Sequence, residues 1–243
     1  MGATMTTSAE LSHRHRFVPA SAPGQPPILL LHGTGGDETD LLPLGQAVAP
    51  GAALLSPRGQ VLEAGRPRFF RRLADGVFDE EDVRRRAQEL ADFVGAARGA
   101  YGLDAPVALG FSNGANIAAA VLQLRPGTLA GAVLLRAMVP LGRAPDADLA
   151  GTPVLLLSGA MDPIVPAENA ARLAALLESA GASVDHRTLP AAHGLSRADV
   201  TLAKAWLATI RGAVDRPAGG EHDARGGAPD GVFAPLPRRL VNP

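Results

Sequence analysis

Three residues of the kinds that perform nucleophilic catalysis stand far apart in this chain, each at the end of an apolar stretch: Ser112, Asp162 and His193. A serine hydroxyl becomes a useful nucleophile when an imidazole takes its proton and a carboxylate fixes that imidazole in one tautomer. Ser112 lies in Gly110-Phe-Ser-Asn-Gly114, with glycine two places before it and two places after it. That spacing suits a turn so tight that strand and helix backbones leave no room for a Cβ, and the hydroxyl is pushed out beyond the strand end. The N–H of Asn113 then opens a helix, where it can receive an oxyanion. A Gly-rich turn bearing a solvated serine fits the bare five-residue pattern too, so its context has to decide.

The context is favourable. Val107-Ala-Leu precedes the turn as a buried strand, and Ala115-Asn-Ile-Ala-Ala-Ala-Val121 follows it as a helix of small residues. An earlier strand, Ile28-Leu-Leu-Leu31, runs into His32-Gly-Thr-Gly-Gly36, whose flexible amides can face a ligand. Thr34 is the expected second oxyanion donor through its backbone N–H, and His32 is expected to brace that loop. Asp162 precedes Pro163, which keeps it extended or in a turn with its carboxylate free to point across the strand ends. His193 follows the last strand, Ser183–Leu189, and precedes a helix that Ser196 and Asp199 can cap. His186 competes for the base but lies within that strand.

The elements that must carry these residues alternate. Further strands are predicted at Ala52–Ser56, Gly131–Leu135 and Pro153–Leu157, with a short edge strand near Phe17-Val18. Between them lie segments long enough for parallel crossovers. Strands that are almost continuously apolar mean a parallel sheet covered on both faces, with chemistry at the strand carboxyl ends. Asp37–Asp40 is expected to cap the helical Leu41–Leu44 stretch. Asp79-Glu-Glu-Asp82 reads as the first turn of an amphipathic helix burying Val83, Ala87, Leu90, Val94 and Ala97, with Glu81 and Asp82 pairing Arg85 and Arg86. The last helix is expected to turn Leu202, Ala205, Trp206 and Ile210 inward. Phe69 and Phe70 lie together in a basic, irregular stretch, and two readings stand level: a wall of a substrate pocket, or packing beneath a long loop.

Composition narrows the partners. The 243 residues hold 23 Lys plus Arg against 24 Asp plus Glu, so no strong field is available for a nucleic acid. The absence of cysteine removes disulfides and thiolate chemistry and agrees with a cytoplasmic location. No signal sequence and no membrane span are predicted, and the myristoylation pattern at Met1-Gly2 is too loose to carry weight. Residues 1–16 are expected to be a flexible N-terminus, 17–213 one folded domain, and 214–243 a disordered tail with a docking point at Val232-Phe233.

Ser112, Asp162, His193 is the chain order of an α/β-hydrolase triad. Together with LLLHGTGGDETDLLPL, SPRG, RFFRR followed by FDEEDV, GFSNGANIAA, GAMDPIVP and AAHG, it makes the chain resemble the phospholipase/carboxylesterase family across roughly residues 28 to 210. The resemblance implies an α/β-hydrolase fold, a mostly parallel central sheet with helices on both faces. It also implies a serine carboxylesterase needing no cofactor or metal; the triad order and a Phe69/Phe70 wall lead to small, uncharged or weakly charged esters as the expected substrates. Asn113 and Ala115 replace the Gln and Gly typical of the thioesterase and lysophospholipase branch, so the chain is more similar to the bacterial branch associated with hydroquinone or quinone resistance. Thioester or lysophospholipid hydrolysis by the same triad, and a non-catalytic ligand-binding role, are the alternatives; homodimer formation is left open.

Overall fold

In Ile28–Leu31 all four side chains are buried, and they divide alternately between two cores: Leu29 and Leu31 on one face, Ile28 and Leu30 on the other. The same alternation runs through Val107–Leu109, Ala132–Leu135 and Val154–Leu157. A strand with both faces covered needs no polar side, which is why these stretches read as unbroken apolar runs.

The computed structural model describes residues 11–143 and 146–214. The chain runs β1 (His15–Val18), β2 (Ile28–Leu31), α1 (Leu42–Val48), β3 (Leu54–Pro57), β4 (Val61–Glu63), β5 (Arg66–Arg68), β6 (Arg72–Ala74), β7 (Val77–Phe78), α2 (Glu80–Tyr101), β8 (Val107–Phe111), α3 (Asn113–Leu124), β9 (Gly131–Leu135), β10 (Pro153–Gly159), α4 (Ala167–Ser179), β11 (Ser183–Leu189) and α5 (Arg197–Val214). Seven strands form one sheet in the order β1-β3-β2-β8-β9-β10-β11. Only the edge pair β1·β3 is antiparallel; the other neighbours are parallel. Helices α2, α3 and α4 contribute to one core and α1 and α5 to the other. The expected fold class is therefore present, with helices on both faces.

Several local expectations need correction. Residues 11–16 are not a loose lead-in: His13 is buried with its ring 4.8 Å from that of Phe93, and His15 and Arg16 belong to β1. Residues 1–10 and 215–243, including Val232-Phe233, lie outside the described residues. The acids before α1 do not cap it. Its N-cap is Leu41, Glu38 is buried between Arg14 and Arg58, and Asp37 bonds Thr39 and Arg58. The stretch after β3 is two small antiparallel hairpins, β4·β5 and β6·β7, rather than irregular chain. In α5 the buried face is Ala203, Leu207 and Ile210; Ala205 is exposed, a shift of phase of about one residue.

The charged start of α2 is half as expected. Asp79 caps it, accepting the Asp82 N–H at 3.1 Å. Asp82 does pair with Arg85 and Arg86, yet it is buried and also accepts the Arg71 N–H at 2.7 Å, anchoring the second hairpin to the helix.

Candidate active site

The elbow is built as its glycines require. A Cβ at Gly110 would lie 2.6 Å from the Gly114 carbonyl oxygen, and one at Gly114 would fall inside the Leu31 carbonyl. Held there, Ser112 adopts φ 51 and ψ −115, a left-handed conformation that side chains seldom take, while its N–H donates to the Leu135 carbonyl at 2.8 Å. The residue closes β8 and opens α3.

Asp162 and His193 leave the ends of β10 and β11. His193 Nε2 is 3.0 Å from Ser112 Oγ, and His193 Nδ1 is 2.8 Å from Asp162 Oδ2. The other Asp162 oxygen accepts the N–H groups of Ile164 at 2.8 Å and Val165 at 3.1 Å. Burial pushes this carboxyl up, but those two N–H groups and the imidazole together outweigh it and hold it below the usual carboxylate range. An ionised Asp162 keeps the proton on Nδ1 and leaves Nε2 to accept one from the serine.

His186 is elsewhere, bonded to Ser158 Oγ at 2.9 Å. His32 is buried in its loop: its Nδ1 meets the Gly33 carbonyl at 2.7 Å, so Nε2 accepts the Gly59 N–H at 3.0 Å. Burial pushes its pKa down, which suits a neutral brace. The Thr34 and Asn113 N–H groups donate to no backbone acceptor among the described loops and caps. Both residues line the same cleft as Ser112.

That cleft, of about 310 Å³, takes its apolar lining from Phe78, Phe111, Met138, Ile164 and Val165, and its polar lining includes Arg66, Arg68 and Arg72. Phe69 and Phe70 do not line it. Both are buried, Phe69 against the His32 ring and Phe70 edge-on to Phe78 at 5.1 Å. The cause is a pair of ties on the backbone around them. Asn113 Oδ1 accepts the Phe69 N–H at 2.7 Å and Asp82 accepts that of Arg71, drawing the segment down so that the rings point inward. Phe78, which the sequence reading passed over, supplies the aromatic wall.

Arg136 was also passed over. This fully buried residue follows β9 at φ 57 and forms a two-point ion pair with Asp199, Nη1 to Oδ1 at 2.7 Å and Nη2 to Oδ2 at 2.9 Å. Its Nε donates to the Ala192 carbonyl at 3.0 Å and its Nη2 to the Gly194 carbonyl at 3.2 Å, gripping the residues on either side of His193. Asp199 in turn accepts the Ser196 N–H and hydroxyl. Burial pushes the Asp199 carboxyl up, and Arg136 and Ser196 together bring it below its ordinary value. An arginine ending an otherwise apolar strand was the signal in the sequence.

Among the described residues no group of three or more His, Asp or Glu side chains is placed to hold a metal ion. None of the described helices is long and apolar enough to cross a membrane.

A family model described as Phospholipase/Carboxylesterase matches residues 13–211. The protein MhqD of Bacillus subtilis (strain 168) is 43% identical over 181 residues, which are 74% of this chain and 90% of MhqD. The crystal structure of the Bacillus cereus carboxylesterase is 45% identical with a TM-score of 0.79, covering 82% of this chain and 94% of that one. The structure of YahD with malic acid is 29% identical with a TM-score of 0.77, covering 81% and 98%.

Proposed function

The chain belongs to the phospholipase/carboxylesterase family, and from that premise we propose that it hydrolyses small carboxylic esters through Ser112, His193 and Asp162. One observation carries the proposal: the unbroken succession Asp162–His193–Ser112, at 2.8 and 3.0 Å, at one rim of the sheet. His193 takes the Ser112 proton as Oγ attacks the ester carbonyl, and Asp162 stabilises the imidazolium. The Thr34 and Asn113 N–H groups receive the charge that develops on the carbonyl oxygen. Collapse of the tetrahedral species breaks the ester C–O bond, and His193 gives its proton to the leaving alcohol. Water, deprotonated by His193, then attacks the acyl-enzyme; the acid leaves and Ser112 regains its proton.

The cleft volume, at the lower end of the range for ligand pockets, supports short acyl groups over the long chains of lysophospholipids or acyl-proteins. A series of 4-nitrophenyl esters from acetate to palmitate should peak at short chains. Ser112→Ala should lower kcat by about 10⁴ or more and abolish labelling by a fluorophosphonate. Retained turnover in Ser112→Ala, or a maximum at long chains, would overturn the respective half of the proposal.

A further inference from the structure

The charge lining the cleft has one sign. Four arginines face it, and among the described residues no aspartate or glutamate does. Three of the four are compensated from behind: Arg68 by Glu63 at 2.8 Å, Arg72 by Glu63 and Asp75, and Arg136 by Asp199. Arg66 has no carboxylate partner among the described residues; the hydrogen bond from its Nη2 to the Thr34 carbonyl is a long one, 3.5 Å. An exposed guanidinium beside the proposed oxyanion loop is thus left with its charge and most of its donors free.

The position of Arg66 is built in. Its strand β5 is tied to that loop by the Gly35 N–H, which donates to the Pro67 carbonyl at 2.9 Å. Gly35, at φ 88, presents a bare backbone to the guanidinium: a Cβ there would come within 2.9 Å of two of its nitrogens. Across the same cleft Phe78, Phe111 and Met138 offer apolar surface. The occupant that matches both is a short hydrocarbon ending in an anion.

Resting on the esterase reading, we propose that the preferred substrates are small esters that also carry a free carboxylate, bound by Arg66. This narrows the uncharged or weakly charged esters expected of the sequence to those that carry one negative charge. A carboxylate matches the planar fork of a guanidinium, and charge-assisted hydrogen bonds outlast those of a neutral group in a cleft partly closed to water.

The test compares matched pairs. Mono-4-nitrophenyl adipate is set against 4-nitrophenyl hexanoate for a charge on the acyl side, and 3-(carboxymethyl)phenyl acetate against 3-ethylphenyl acetate for a charge on the alcohol side. In the wild type, kcat/KM should favour the anionic member of at least one pair by roughly tenfold or more. The preference should shrink with added salt and in Arg66→Gln, where it should be lost mainly through KM. Neutral members favoured in both pairs, or an unchanged ratio in Arg66→Gln, overturn the proposal. Absence of turnover on all four esters would instead count against the esterase reading. Calorimetric titration of Ser112→Ala with monomethyl adipate then decides the anion site alone: binding weakened about tenfold by adding Arg66→Gln upholds it, and binding insensitive to that change overturns it.

Discussion

The two partners of the Ser112–His193 hydrogen bond are held by different physics. On the serine side backbone meets backbone twice, β8 against α3 at Gly110 and α3 against the end of β2 at Gly114, and Ser112 is left with one conformation, a strained one. On the histidine side the chain between β11 and α5 has no regular structure, and Arg136 fixes it by bonding the carbonyls flanking His193 while anchored to buried Asp199. A steric restraint acts only at contact and has no graded response: the atom fits or the backbone must move. An electrostatic one reaches across the fold and answers to pH and to single charges.

The largest effect should come from breaking the steric side. Gly114→Ala sets a methyl group inside the Leu31 carbonyl, with backbone on every near side, so little soluble, folded protein is expected in an expression and thermal-melt assay. Gly95→Ala, on an exposed part of α2 with nothing within 4 Å, is the contrast and should stabilise by up to about 1 kcal/mol.

Breaking the electrostatic side should cost less and leave a folded enzyme to measure. Arg136→Met strands the Asp199 carboxylate in the interior, a loss of about 3–5 kcal/mol in urea unfolding. The double variant with Asp199→Asn should recover part of that loss. If Arg136 positions the imidazole, kcat on a short ester should fall in Arg136→Met with KM nearly unchanged, whereas equal kcat in folded protein would reduce the clamp to a structural role.

The smallest effect separates the two sides by acid. Asp199 and Asp162 have carboxyls depressed in the fold, so as the pH falls below about 4 the unfolded chain takes up protons before the native one does. The stability they contribute is complete above that point and is lost as pH falls through their folded values, with a slope of at most about 1.4 kcal/mol per pH unit for each proton. Asp199→Asn should flatten this acid limb in pH-dependent unfolding; an unaltered slope would show that the clamp carboxylate is not part of it.

The same contrast explains what could be read from the residues alone. The elbow was legible because its serine and both glycines fall together within Gly110–Gly114, and the parallel sheet because its strands are apolar on both faces. The clamp was not, since its two residues are 63 apart in sequence and Asp199 already had a sufficient local explanation as a cap for α5. Asp82 was legible as a first-turn partner of the α2 arginines but not as the buried acceptor of the Arg71 N–H, because that role depends on how the preceding hairpin folds back onto the helix. The Phe69 and Phe70 rings were ambiguous for the same reason: their direction is decided by Asn113, 44 residues on. Strands β4 to β7 are two or three residues long, too short for a period to show.

Those hairpins stand outside the main sheet, attached by the Gly35, Asn113 and Asp82 hydrogen bonds, and they carry Arg66, Arg68, Arg72 and Phe78 to the cleft. None of the three groups in the proposed proton relay is on them. Residues 61–78 are therefore rooted in the core by Phe69 and Phe70 yet present separate side chains to the cleft, so mutation of those side chains can retune what is admitted while the proposed relay, on other elements, is inherited intact.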